Sequence, residues 1–386
     1  MRNIHTQPSA PNRLRAVDLA RGLATALMVA THVTDAFLTG VWKQNEVWYQ
    51  INILFGFVAP AFALLSGVTL GITLARHAND GGGRVHVPRA TWRRLAVVLL
   101  LGYWLQVPVL SIRQLIYNQR PFELARMFDA NILQIIALVS MGLAGLVVLF
   151  RSVPAARLAA LLLGLAFAAA TPYIWHGSFQ ASLPLPFRFY LSPTPPATFG
   201  LFPAACYLFF GFAASGLIAR AGTDRRLQWA LAAGGLALVI LCPLVTPLLA
   251  SFPPNDNFWA PSIQYVFFRI GGVFLLVGAM FAAARYLPRH RTWLEWAGSR
   301  SLAIYVLHLM AVYGSPMTMG MRWWFNAILN GALGPWLVAL FIVVMLAACT
   351  AAIRFWDRLR TNRPTLALWG KRLWWGAFWG IFLLNP

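Results

Sequence analysis

The residues best equipped for chemistry fall on one helix-length stretch, Asp18 to Asp35. Advancing 100° per residue from Asp18 sets Arg21 at about 300°, Thr25 at about 340°, His32 at about 320° and Asp35 at about 260°. They share a stripe roughly 100° wide on an otherwise apolar helix. Arg21 and His32 are about 16 Å apart along the axis. An imidazole of near-neutral pKa is suited to take a proton from a hydroxyl or ammonium group, or to accept an acyl group itself. A guanidinium at the other end suits an anion, which it grips through paired N–H donors. A plainer reading makes Asp18 and Arg21 an i,i+3 ion pair at a helix end and His32 a packing residue. Their coincidence on one stripe favours the chemical reading.

A second loaded segment runs from Glu295 to His308, with Ser301, Tyr305 and His308 at i, i+4 and i+7, one helix face. Ser301 and Tyr305 also read as polar glue between helices. Arg269 is harder to explain as structure alone and calls for Asp35, Asp129 or a substrate anion as its partner. The stretch 174–198 is rich in Pro and aromatic residues and includes Trp175. It reads as a lid or glycan-binding wall, or equally as a stiff connector. The turn Asn79–Arg84 looks like a phosphate cradle but lacks the strand and Lys-Ser/Thr of a P-loop, so it reads as a linker. The cysteines, Cys206, Cys242 and Cys349, show no paired spacing, so neither a disulfide framework nor a metal motif follows.

These groups need a scaffold, and the composition specifies it. Of 386 residues 59% are hydrophobic and 11% charged, with a mean hydropathy of +0.65. Ten acidic residues cannot solvate a water-soluble surface of this size, which excludes a cytosolic enzyme, a disordered regulator and a coiled coil. Segments at roughly 17–38, 51–75, 94–112, 131–150, 155–173, 199–219, 227–249, 262–284, 298–316 and 332–353 are each apolar enough to cross a bilayer. They are long Leu- and Ala-rich runs, unlike the alternating strands of a barrel. The predicted fold is therefore an all-α polytopic bundle of about ten transmembrane helices, a single domain over 1–386.

With the N-terminus in the cytoplasm, 23 of the 31 Lys and Arg residues fall on the inner side and six on the outer, which leaves Arg21 and Arg269 within spans. The net charge of +21 is thus mostly a topology signal. Dispersed over loops and tails without a recognition module, it does not point to nucleic acid. The segment near 113–130 is the exception, outer yet carrying Arg113, Arg120 and Arg126. The first span reads as an uncleaved signal anchor. The Trp-rich tail within 364–386 suits an interfacial helix, or an eleventh crossing.

The order of these motifs resembles the transmembrane acyltransferase superfamily. Arg21-Gly22 followed by His32 is similar to that family's first helix. Phe57…Leu65-Ser66-Gly67, Leu133-Gln134-Ile135, Phe199-Gly-Leu-Phe-Pro203 with Tyr207 and Gly211, and Gly298-Ser-Arg-Ser301…Tyr305…His308 resemble its later stretches. The matches cover about 13–310, and the branch most similar is the heparan-alpha-glucosaminide N-acetyltransferase-like one, near YeiB-like proteins. Many relatives carry a Trp directly after the position of Pro203; this chain has Ala204.

The resemblance implies transfer of an acetyl group from cytoplasmic acetyl-CoA to an extracytoplasmic glycan or other small acceptor. It implies a bacterial inner-membrane location and, as in many relatives, a homodimer. His32, oriented by Asp35 or Asp129, is then base or acyl acceptor. Asp18, Arg21, Arg300, Ser301, Tyr305 and His308 form the cofactor end, and Arg269 and Trp175 face the acceptor; no metal is implied. The rival class is a transporter or flippase for a glycan, a lipid-linked substrate or a small solute, which polar stripes would serve equally well. Transporters commonly carry matching broken helices in two halves, a symmetry not evident here.

Overall fold

A computed structural model describes residues 14–80, 86–107, 111–117, 129–191, 199–249, 258–259, 261–288, 290–315, 318–329 and 333–384. Among them the chain is almost wholly helical. The helices are α1 (Arg15–Phe37), α2 (Gly40–Lys43), α3 (Glu46–Phe55), α4 (Val58–Asp80), α5 (Arg89–Trp104), α6 (Ile112–Tyr117), α7 (Ile132–Phe150), α8 (Val153–His176), α9 (Leu185–Leu191), α10 (Leu201–Ala221), α11 (Arg225–Leu244), α12 (Thr246–Leu249), α13 (Ile263–Tyr286), α14 (Trp293–Ser299), α15 (Ser301–Tyr313), α16 (Met321–Leu329), α17 (Pro335–Asn362) and α18 (Pro364–Leu384). The strand content of the described residues is a ribbon of Gly314–Ser315 against Thr318–Met319 and an isolated bridge between Leu38 and Leu333. The chain is an all-α polytopic membrane protein.

Among the described residues eight spans are long and apolar enough to cross a bilayer. They correspond to eight of the segments expected from the sequence. The other two, near 94–112 and 298–316, form the shorter α5 and α15, of 16 and 13 residues. In the second case the apolar run is broken at Arg300, whose φ of −112° and ψ of 12° divide α14 from α15. The Trp-rich tail belongs to the 21-residue α18, and its Trp375 and Phe378 meet Trp104 of α5 edge-on. The Asn79–Arg84 turn lies largely outside the described residues, as do Arg120, Arg126 and residues 1–13.

Local chemistry sets many of the helix ends. Asn131 and Gln134 form a capping box at the start of α7, and Asp224 and Ser262 accept from backbone N–H groups at the starts of α11 and α13. Asn131 also donates to the Gly102 carbonyl at 2.9 Å, and Gln134 to Gln106 at 2.8 Å, so the same box fastens α5 to α7. The Leu-Gln motif is thus architectural.

Packing is closest where glycines meet backbone. A Cβ on Gly22 would lie 2.0 Å from the Leu294 carbonyl oxygen, and one on Gly298 would lie 2.0 Å from that of Asp18. Helices α1 and α14 therefore touch main chain to main chain, the use small residues have in membrane bundles. Gly67 and Gly211 do the same for α4 and α10.

The foot of α1 is tied by polar contacts. Arg15 pairs with Glu295 at 2.8 Å and donates to the Ala284 carbonyl at 2.9 Å, joining α1 to α14 and to the end of α13. Glu295 also accepts from the Thr292 N–H at 2.8 Å and hydroxyl at 2.7 Å. Burial alone would raise the Glu295 carboxyl, but the bonds from Arg15 and Thr292 outweigh it and hold the group below its ordinary value.

Two outcomes follow. A carboxyl depressed in the folded state contributes stability that is present above its unfolded pKa and lost as pH falls through its folded one. Glu295→Gln should therefore lower the melting temperature in detergent at pH 7, with the gap to wild type closing below about pH 4. Gly298→Val should cost at least the ~1–3 kcal/mol of core overpacking, since the atom in the way is backbone; a thermal melt of the purified variant measures it.

Candidate acyl-transfer site

One cavity of about 490 Å³ threads the bundle and gathers residues from helices distant in sequence. Arg21, Thr31 and His32 come from α1, and Ser66, Thr69 and Thr73 from α4. Arg94 is supplied by α5, Trp175 by α8, Tyr207 by α10, Tyr265 and Arg269 by α13, and Ser301 and Tyr305 by α15. Most of the remaining wall is apolar, including Phe62, Leu70, Val98, Ile136 and Leu302.

Depth can be read from the antiparallel packing of α1 and α13, fixed by the bond from Arg15 to Ala284. Counting from that level at 1.5 Å per residue, Arg21 lies about 9 Å up α1, His32 about 25 Å, and Arg269 about 22 Å along α13. His32 and Arg269 thus share one level, and Arg21 occupies another much closer to the Arg-rich end of the helices.

At the lower level Arg21 donates from Nη2 to the Ser301 hydroxyl at 3.0 Å. This bond is a direct product of the glycine crossing, which brings the start of α15 beside the first turns of α1. The sequence placed Arg21 and Ser301 in one site, and the structure brings them together. Thr69 and Thr73 donate to carbonyls one turn back, each at 2.7 Å, leaving their oxygens able to accept from a ligand.

At the upper level the His32 ring lies 5.2 Å from that of His308 and 5.7 Å, edge-on, from that of Tyr313. The Tyr313 hydroxyl stands 3.4 Å from His32 Nδ1, from the His32 carbonyl and from Asp35 Oδ2. These are long approaches, from which a hydroxyl with one proton selects. Asp35 is exposed, pairs with Lys43 at 3.7 Å, and faces His32 across Tyr313. His308 is fully buried, and its Nδ1 lies 2.8 Å from the Ile304 carbonyl. That contact requires an N–H at Nδ1, so the neutral ring presents Nε2 as an acceptor.

Not every expected residue reaches the cavity wall. Asp18 is buried at the crossing of α1 and α14, Asp129 precedes the Asn131 cap of α7, and His308 backs onto His32 without lining the space. Arg300 turns away and pairs with Asp357 of α17 at 2.7 Å. Trp175 does line the cavity, and its indole donates to the Phe202 carbonyl at 2.8 Å where the backbone of α10 leaves the helical conformation.

Sequence reasoning gave no role to Tyr313, Tyr265 or the Ser66, Thr69, Thr73 row. The row was discoverable, because i, i+3 and i+7 define one face of α4. So was Tyr265, one turn before Arg269. Tyr313 carries no such signal, since its place depends on how α15 crosses α1.

Comparison with known families agrees with this geometry. The family model described as an acyltransferase domain matches residues 14–355, nearly the whole chain and further than the motifs noted in the sequence. The protein belongs to this acyltransferase family. No match was found among curated proteins.

Tyr313→Phe removes the hydroxyl between His32 and Asp35 but keeps the ring. It should slow acyl transfer by about the tenfold that ~1.4 kcal/mol represents, with the substrate KM little changed. Steady-state kinetics of the variant measure this split.

Proposed function

We propose that the protein moves an acetyl group from cytoplasmic acetyl-CoA to a hydroxyl or amino group of a glycan-type acceptor on the outer side of a bacterial inner membrane. The observation that carries this reading is the single cavity holding a guanidinium at one depth and an imidazole about 16 Å further along. That spacing suits an extended thioester donor whose anionic end stays low while its acyl end reaches His32. Arg94 and Arg21 favour the donor's negative end, and the Thr69 and Thr73 hydroxyls suit the amides of its arm. The heparan-alpha-glucosaminide N-acetyltransferase-like motifs of the sequence favour acetyl as the group moved and a glycan as its acceptor.

In this mechanism His32 removes the proton of the acceptor as its oxygen or nitrogen attacks the thioester carbonyl carbon. The new C–O or C–N bond forms, the C–S bond breaks, and the proton passes through the imidazole to the departing thiolate. Attack by the imidazole itself, giving an acyl-His that the acceptor then resolves, uses the same residues. Tyr313 and His308 fix the ring in either course. The apolar wall limits water, which would otherwise hydrolyse the thioester.

His32→Ala should lower transfer of labelled acetyl from acetyl-CoA by roughly 10²–10⁴-fold, the usual range for a lost acid–base group. The assay is purified protein in nanodiscs with an extract of cell-envelope glycans as acceptor, read by mass spectrometry. Full transfer by the variant would overturn the role of His32.

A further inference from the structure

With Arg21, Arg269 is one of the two basic residues that fall within the expected spans. Its Nη2 donates to the Tyr265 hydroxyl at 2.6 Å, and its Cζ lies 4.1 Å from the centre of the same ring. Among the described residues no carboxylate pairs with it, whereas Arg15, Lys43 and Arg300 each have one. Its Nε is buried without a hydrogen-bond partner there, and so is the Tyr207 hydroxyl. Arg269, Tyr207 and Tyr265 all line the cavity. Space is kept at the guanidinium by Gly56, where a Cβ would come within 3.2 Å of Nη2.

A cation at this depth is costly unless it is paired, and such groups characteristically mark a ligand pathway. Tyr265 and Tyr207 offer hydroxyl hydrogens but no negative charge. The donor's phosphates do not suit the place. Arg269 is level with His32, so a phosphate held there would carry the thioester, a whole pantetheine arm away, past the imidazole. A tetrahedral oxyanion would be neutralised only for the instant of reaction, leaving the cation unpaired in every resting complex.

We infer that Arg269, with the Tyr207 and Tyr265 hydroxyls, forms an anion subsite for the acceptor, which carries a carboxylate or phosphate close to the group that is acylated. This rests on the acyl-transfer reading above and narrows its acceptor to anionic molecules. The charge orients the acceptor so that its hydroxyl or amine faces His32 across the cavity.

The test is calorimetric titration of the protein in nanodiscs with glucuronate, glucose 6-phosphate and glucose, which offer a carboxylate, a phosphate and no charge on similar frames. At least one charged sugar should bind ten or more times tighter than glucose, and the tighter of the two identifies the preferred anion. Arg269→Gln should reduce that binding to the glucose level, and Arg269→Lys should retain part of it. Equal binding of charged and neutral sugars by wild type overturns the inference, as does wild-type affinity for the charged sugars in Arg269→Gln. If Arg269→Gln is not monodisperse, the wild-type comparison and Arg269→Lys decide. In the labelled-acetyl assay, an equal fall in kcat for charged and neutral acceptors with KM unchanged would assign Arg269 to the oxyanion instead. Binding is read without turnover, so it stands or falls separately from the His32→Ala result.

Discussion

The contact on which the site depends is the crossing of α1 and α14, where Gly22 and Gly298 let two backbones touch. Everything in the cavity that comes from α15 is placed by it. With side chains at those positions the helices would move apart by ångströms, and the Arg21–Ser301 bond at 3.0 Å would open. The His32 and His308 rings, now 5.2 Å apart, would separate with them. The Arg15–Glu295 pair clamps the same crossing from the N-terminal end of α1, adding a charge-assisted bond to a contact that is otherwise shape alone. The glycines of the Arg-Gly and Gly-Ser-Arg-Ser motifs therefore serve the chemistry indirectly, by allowing two polar helices to meet.

A membrane interior makes each polar group conspicuous, and here the conspicuous groups divide by depth. Arg21 and Ser301 occupy one level, and His32, Arg269 and Tyr265 another. In water such a division would mean little, because mobile ions screen charges over about 8–10 Å. Within a low-dielectric bundle the two guanidinium groups act on different parts of whatever fills the cavity. An elongated donor and a compact acceptor can then be recognised separately and still meet at one imidazole.

Much of this was legible in the sequence, and the remainder was hidden for identifiable reasons. The stripe on α1 followed from helical spacing, and Arg21, His32, Arg269, Ser301, Tyr305 and Trp175 all line the cavity. The all-α membrane fold followed from apolar run length. Spacing does not show which face of a helix its neighbours take, and that is where expectation and structure part. Asp18 shares the stripe but is buried at the crossing, and Arg300 leaves its motif to pair with Asp357, 57 residues on. Between Asp35 and His32 stands the hydroxyl of Tyr313, 3.4 Å from each, a residue brought there by tertiary packing. The run near 298–316 looked like one span because hydropathy averages over Arg300, whereas backbone geometry does not.

The apolar majority of the cavity wall completes the logic of the polar minority. A thioester is an acyl donor to water as well as to a substrate, so an enzyme that holds one must favour the acceptor by position and exclude the competitor. Phe62, Leu70, Val98, Ile136 and Leu302 line the cavity and offer water no hydrogen bonds. Thr69 and Thr73 interrupt this wall, but their protons are already given to carbonyls of their own helix. They present acceptor oxygens only, suited to the N–H groups of a donor's amide arm. A passage with guanidinium groups at two depths, a mostly apolar wall and acceptor hydroxyls along one helix suits an extended amide-bearing thioester better than a hydrated solute, which needs polar contacts along its whole course.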